Sequence, residues 1–217
     1  MKKFTILILL AVLPLVSANA FGQKKSKAAT RQKNRSLVKP MPKAKVEIEN
    51  WQTFDGQDLK LKISFPKEPS VSVSDKVAGE EEVEKSSIVQ SYVNGNFYMI
   101  EIREYRDNLL PDKVNLSESY GSWMKTFILP KNKIISEKTF NYRIYKVIEF
   151  TYQQTNDDIL IHRAVVVGKN LYQIIIQLEI KQPESIEQTL SKNEEKIKKF
   201  FGSFEITEES LNDSSVY

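Results

Sequence analysis

Cysteine is absent from all 217 residues. That one absence removes disulfides, thiolate zinc sites, iron–sulfur ligation and thiol nucleophiles together. Histidine is almost as scarce, since His162 stands alone, so the usual His-rich or Cys/His zinc sets have no material to draw on. The seven glycines, at 22, 56, 79, 95, 121, 168 and 202, are too scattered for a Gly-x-Gly-x-x-Gly turn or a phosphate-cradling loop. No Gly-x-Ser-x-Gly elbow is present to expose a serine beside His162. Catalytic, cofactor and metal residues are all read as none, and no cofactor is expected. Stability then has to come from an ordinary core, which a folded part of about 165 residues is large enough to supply.

Long hydrophobic runs are missing too, except at the start. Lys2 and Lys3 precede an apolar run from Phe4 to Val16, and Ser17-Ala18-Asn19-Ala20 follows. A basic start, a short apolar run and small residues at the Ala-x-Ala positions make a secretory signal, residues 1–20, with cleavage expected after Ala20. At about 13 residues the run is short for a membrane span, and no later stretch replaces it. A soluble, exported chain is expected, periplasmic or extracellular, with retention of the run as an anchor the alternative. No cysteine follows the signal to accept a lipid.

Acidic residues are absent from the first 45 positions, where eleven of the 32 Lys and Arg side chains fall. From residue 46 on, the remaining 21 basic residues face all 28 acidic ones, so the high pI belongs to the arm. Residues 21–45 carry few large apolar groups and are read as a disordered basic arm. Such an arm suits an anionic surface of phospholipid headgroups, glycan acids or nucleic acid. A solubilising spacer is the alternative. There is no specific nucleic-acid motif.

From residue 46 the pattern turns to period two. Val46 to Phe54 and Leu59 to Phe65 read as strands around Asp55-Gly56, ended by Pro66. Val71 to Val77 adds a short edge strand, followed by a polar turn at Gly79 to Glu82. Ser87 to Val93 and Phe97 to Tyr105 flank Asn94-Gly95, the strongest hairpin signal present. Along the second of these, Glu101 and Arg103 share a face opposite Tyr98, Ile100 and Ile102, which predicts a wet side. Asn115 and Glu118 make a capping pair for a helix carrying Leu116, Tyr120, Trp123, Met124 and Phe127, closed by Pro130. Ile134 to Phe140, Tyr142 to Tyr152, Ile159 to Val167 and Leu171 to Ile180 continue as a meander, with turns at Asn141, at 155–158 and at 168–170.

A last helix is expected with Pro183 near its first position, lysines in its last turn, an apolar stripe of Ile186, Leu190, Ile197, Phe200 and Phe201, and Gly202 in the left-handed position after its end. Phe204 to Ile206 returns as a short strand, and 207–217 is a flexible tail. Seven or eight strands in hairpins with two helices give an α+β class: one domain, residues 46–206, with an antiparallel β-sheet covered by helices.

The hairpin ending Ile63-Ser64-Phe65-Pro66, the central amphipathic helix, the strand opening Gly168-Lys169-Asn170-Leu171-Tyr172 and the terminal helix running into Phe200-Phe201-Gly202-Ser203-Phe204 together resemble the PsbP-like, or Mog/PsbP, domain. The resemblance spans roughly residues 47 to 206 and lies mostly in element order. It implies an α/β/α sandwich and, as is general among its extrinsic photosystem subunits and bacterial envelope proteins, a non-enzymatic binding or assembly role. It transfers no functional residue, because fold is weak evidence for function.

His162 shares a strand side with Leu160, Ala164 and Val166, which reads as a structural residue. Glu80-Glu81-Glu82 with Glu84, and Asp157-Asp158, lack the alternating ligands of a calcium loop and read as solvated turns. The Asn-x-Ser sequons at Asn34, Asn115 and Asn212 carry no weight in a chain with a bacterial-type signal. Most aromatics suit a half-buried sheet. A groove between sheet and helix, touched by Tyr120, Trp123, Tyr145 and Tyr172, is the expected place for a partner or small apolar ligand. The leading expectation is an exported, non-catalytic binding or assembly module of the bacterial envelope, whose partner is an envelope protein or a small apolar ligand. The alternatives are a hydrolase whose carboxylates come from separate strands and a structural envelope protein retained by charge.

Overall fold

The computed structural model describes residues 47–75, 83–106, 120–122, 124–155 and 157–207. The expected signal, basic arm, Glu80 to Glu82, Asn115 cap, Trp123 and residues 208–217 lie outside the described residues, while Glu84 of the acidic cluster is exposed on the strand starting at Val83. Among the described residues, besides the helical piece 120–122, ten strands and two α-helices follow in chain order: β1 (Gln52–Gly56), β2 (Leu61–Phe65), β3 (Ser70–Ser74), β4 (Val83–Val93), β5 (Asn96–Tyr105), β6 (Lys133–Tyr142), β7 (Tyr145–Gln153), β8 (Ile159–Val167), β9 (Asn170–Leu178), α1 (Ile186–Lys192), α2 (Glu194–Gly202) and β10 (Glu205–Ile206). β3 to β9 form a seven-stranded sheet in the order β3-β4-β5-β9-β8-β7-β6, and β1-β2-β10 form a smaller one. Every pairing is antiparallel. The described residues are thus mostly antiparallel β-sheet.

The expected strands all form, with shifted ends. Asn94 and Gly95 both take positive φ, 52° and 87°, the twist a two-residue hairpin needs. Glycine at residue 95 takes its left-handed φ without strain, and the exposed Glu179 carboxylate lies close against it. Other turns differ from expectation. Asp55 and Gly56 belong to β1, and the turn to β2 is the 3-10 segment Gln57–Leu59 ended by Lys60 at φ 56°. The β6–β7 turn falls at Arg143-Ile144 rather than Asn141, with Arg143 at φ 55°. Residues 120–122 are helical, yet the chain then widens into a π turn, Met124–Ile128, and tightens into the 3-10 turn Leu129–Lys131, which contains Pro130.

The single terminal helix expected from 183 is two. Ser185, not Pro183, begins α1: its Oγ accepts from the Gln188 N–H while the Gln188 side chain accepts from the Ser185 N–H, a reciprocal cap. Asn193 separates α1 from α2. Gly202 stays inside α2, and Ser203 caps it in a right-handed conformation, so no left-handed glycine ends the helix. The chain then returns as β10 beside β2, as expected.

Period-two alternation sorts the large sheet into two faces. The first carries Val89, Val93, Tyr98, Ile100, Tyr172, Ile174, Ile176 and Leu178, packed against β2, Phe200, Phe201 and Phe204. Phe200 is fully buried, its ring 5.4 Å from that of Phe65 and 5.3 Å from that of Tyr98. The amphipathic stripe of α2 is thereby the plug of this core. The second face carries Val83, Tyr105, Ile148, Phe150, Tyr152, Leu160, Ala164 and Leu171, covered by Tyr120 and Met124. Burying each such side chain contributes about 1.5–3 kcal/mol.

Candidate functional site

The second face holds the main concentration of polar chemistry among the described residues. The register brings it together: His162 lies opposite Ile175 on β9 and Phe150 on β7, Gln173 lies opposite Glu101, and Arg103 lies opposite Ser86 and Leu171. Even spacing along β5, β8 and β9 therefore aims Glu101, Arg103, His162 and Gln173 at one side. The Tyr120 hydroxyl reaches down onto them from the covering segment.

The hydrogen bonds form a chain whose polarity one end fixes. Arg103 Nε donates to Glu101 Oε1 at 2.7 Å, and Ser86 Oγ to the same oxygen at 3.4 Å. A carboxylate paired with a guanidinium only accepts, so the Gln173 amide nitrogen must be the group that donates to Glu101 Oε2, at 2.9 Å. Gln173 Oε1 is left as an acceptor, and the Tyr120 hydroxyl donates to it at 2.6 Å. With its proton so committed, the tyrosine oxygen accepts from His162, whose Nε2 lies 2.8 Å away. His162 is thereby assigned as the neutral Nε2–H tautomer.

Burial agrees with neutrality. His162 is 6% exposed, Tyr120 5%, Gln173 2% and Arg103 4%. Desolvation pushes the imidazole down from 6.5 to about 4, with the nearby Arg103 charge adding to it and the Gln173 contact opposing it. Desolvation also holds the Tyr120 hydroxyl well above its ordinary value, helped by Tyr152 and Glu101. A histidine, a hydroxyl and a carboxylate do meet here, but the carboxylate is reached through an amide and the hydroxyl keeps its proton. Such a chain locks the cover onto the sheet.

The expectation of a wet side for Glu101 and Arg103 is overturned. Their side chains are 14% and 5% exposed, because the segment containing Tyr120 and Met124 lies over them. Charge on alternate positions signals an exposed face only where no partner neutralises it inside. His162 does sit on the side of Leu160, Ala164 and Val166, as read from the strand pattern. Gln173 went unsingled, since the register that sets it against Glu101 is not written in either strand.

Of the four expected groove residues, Tyr120 lies in the second core and Tyr172, fully buried, in the first. The sheet separates them. Tyr145 packs at the margin of the first core, and Trp123 lies outside the described residues. Near the end of β9, a shallow open cleft of about 370 Å³ is lined by Lys133, Asp157, Gln182, Glu184 and Glu187 among others. No set of three or more His, Asp or Glu groups suited to a metal occurs among the described residues. No helix among them is long and apolar enough to cross a membrane. Exposed apolar side chains are instead found on strand edges and tips, including Val71, Val73, Tyr92 and Ile144.

No family model matches the sequence, and no curated protein matches it significantly. Among solved structures, the chain is similar in fold to cyanobacterial PsbP (CyanoP) from Synechocystis sp. PCC 6803, with a TM-score of 0.48 and 10% identity over 75% of this chain and 95% of that one.

Proposed function

We propose that this chain is an exported, non-catalytic binding or assembly module of the bacterial envelope. The carrying observation is that the histidine, hydroxyl and carboxylate brought together on the second face are spent on holding the fold. His162 and Tyr120 are buried and the Glu101 side chain is 14% exposed, and the hydrogen-bond chain runs from Arg103 to His162. What faces outward is a set of strand edges and tips, the material of recognition by another chain. The PsbP-like resemblance of the element order supports the same reading. That resemblance implies helices on both faces of the sheet, an α/β/α sandwich.

The basic arm, residues 21–45, supplies attachment to an anionic surface. Its charge is opposite to that of the rest of the chain, so export would leave a negative body tethered by a positive strap. The test combines processing and partition. Expression in a bacterial host should yield a periplasmic or secreted chain whose first residue, by mass, is Phe21. That chain should sediment with vesicles of mixed neutral and anionic lipid, and a version starting at Val46 should not. Added salt should release it, because contacts between exposed charges are screened. Retention of residues 1–20 inside the cell would refute export, and equal sedimentation of both versions would refute the arm.

A further inference from the structure

The large sheet has two outer edges, and they are defended unequally. β6 is a ten-residue edge carrying Lys133, Glu137 and Lys138 and a register irregularity between Ile134 and Ser136. Charges and bulges are the devices that keep an edge from pairing with another chain. β3, at the other edge, is short and preceded by Pro69, but within Ser70–Ser74 it carries neither charge nor bulge. It reads Ser70-Val71-Ser72-Val73-Ser74, all five residues are exposed, and its pairing with β4 is regular. Among the described residues no strand lies beyond it.

We propose that β3 is a self-pairing edge that joins two copies of this chain, antiparallel about a two-fold axis through Ser72, into one continuous sheet. The occupant is argued from the strand itself. Ser-Val-Ser-Val-Ser reads the same in both directions, so a copy rotated about Ser72 presents the matching pattern. Val71 of each copy then lies opposite Val73 of the other on one face, and the serines meet on the opposite face. Directly opposed residues approach to about 4.5–5.5 Å between Cβ atoms, the distance at which β-branched pairs stabilise a sheet.

Because the edge is used symmetrically and β6 is guarded, the assembly closes at two copies and does not grow into a fibre. A five-residue ladder buries less than the about 1,200 Å² of standard interfaces, so the dimer is concentration-dependent.

The chain's lack of cysteine makes the test clean. In the chain lacking only residues 1–20, whose removal leaves every described contact in place, Ser72→Cys introduces a single thiol on the proposed axis. Ile144→Cys places one at the 85% exposed tip of the β6–β7 hairpin and reports random collision. Mild oxidation should cross-link the first into a dimer at least tenfold faster than the second. Light scattering on the cysteine-free chain should show its mass rise to twice that of one copy with concentration, and Val73→Lys should abolish the rise without altering circular dichroism. A constant single-copy mass, equal cross-linking of the two thiols, a dimer that survives Val73→Lys, or open-ended growth would each overturn the proposal.

Discussion

At the centre of one face of the large sheet, Val89, Ile100, Ile174 and Ile176 meet Phe200 and Phe204 with only packing between them. At the centre of the other, Tyr120 closes over Glu101, Arg103, His162 and Gln173 in a directed sequence of hydrogen bonds. The first face gains from any well-fitting apolar group, because the hydrophobic effect has no direction. The second is satisfied by one arrangement only. Removing one member leaves its neighbour buried without a partner, at the full desolvation cost of that group. One face therefore supplies the larger part of the stability, and the other selects which segment covers the sheet and in what position.

The most severe way to break the comparison is to empty the first core. Phe200→Ala removes a fully buried ring packed between Phe65 and Tyr98 and should cost about 3–5 kcal/mol. Domains are stable by about 5–15 kcal/mol in all, so urea unfolding should show a large fall in midpoint. A loss below about 1 kcal/mol would mean that α2 is not the plug.

Acid tests the second face. His162 is depressed from 6.5 to about 4, so the unfolded chain takes up a proton between those values that the folded chain refuses. Stability from this group is complete above about pH 6.5, falls as pH drops towards 4, and changes no further below that. The fall amounts to about 3 kcal/mol. The groups facing the imidazole are Tyr120 from the cover, Phe150 from β7, and Gln173 and Ile175 from β9, with Arg103 and Glu101 beyond them on β5. His162→Gln keeps a donor there and should flatten the slope between pH 4 and 6.5 relative to the parent chain. Exposed carboxylates titrate in both chains and cancel in that difference. An unchanged slope would place the proton elsewhere.

A smaller, more local change separates the hydroxyl from the ring. Tyr120→Phe preserves the packing on Met124 and the second core but leaves Gln173 Oε1 without its donor and His162 Nε2–H without its acceptor. The expected cost is about 1–3 kcal/mol. Combined with Gln173→Met the two changes should be strongly non-additive, as members of one network are. Additive losses within about 0.5 kcal/mol would show that the chain of bonds is not a unit.

What the residues disclosed in advance follows the range of the physics. Alternation along β5, β8 and β9 and the Asn94-Gly95 turn are local, so strands, faces and that hairpin were legible. Arg143 was not, because a left-handed arginine is dictated by the register of β6 against β7 rather than by its own preference, and Asn141 offered a better local turn. The break at Asn193 was hidden for a similar reason. The apolar stripe runs through Ile186, Leu190 and Ile197 as if one helix carried it, and only the reciprocal Ser185–Gln188 cap marks the true start. The polar site was least visible. Tyr120 and His162 are 42 residues apart, and Glu101 with Arg103 looked like an ordinary solvated stripe until a third segment was laid over them.

The Ser185–Gln188 cap gives the finest resolution of the two faces, since α1 packs through Ile186 and Leu190 on the first core only. Ser185→Ala removes the acceptor for the Gln188 N–H and should cost about 1 kcal/mol. It leaves every member of the Tyr120 chain untouched. The whole stability curve should therefore drop by that amount while its slope between pH 4 and 6.5 stays that of the parent, because the proton uptake belongs to the other side of the sheet. A changed slope would mean that loosening α1 also lets water or charge reach His162, and the two faces would then be one cooperative unit rather than two.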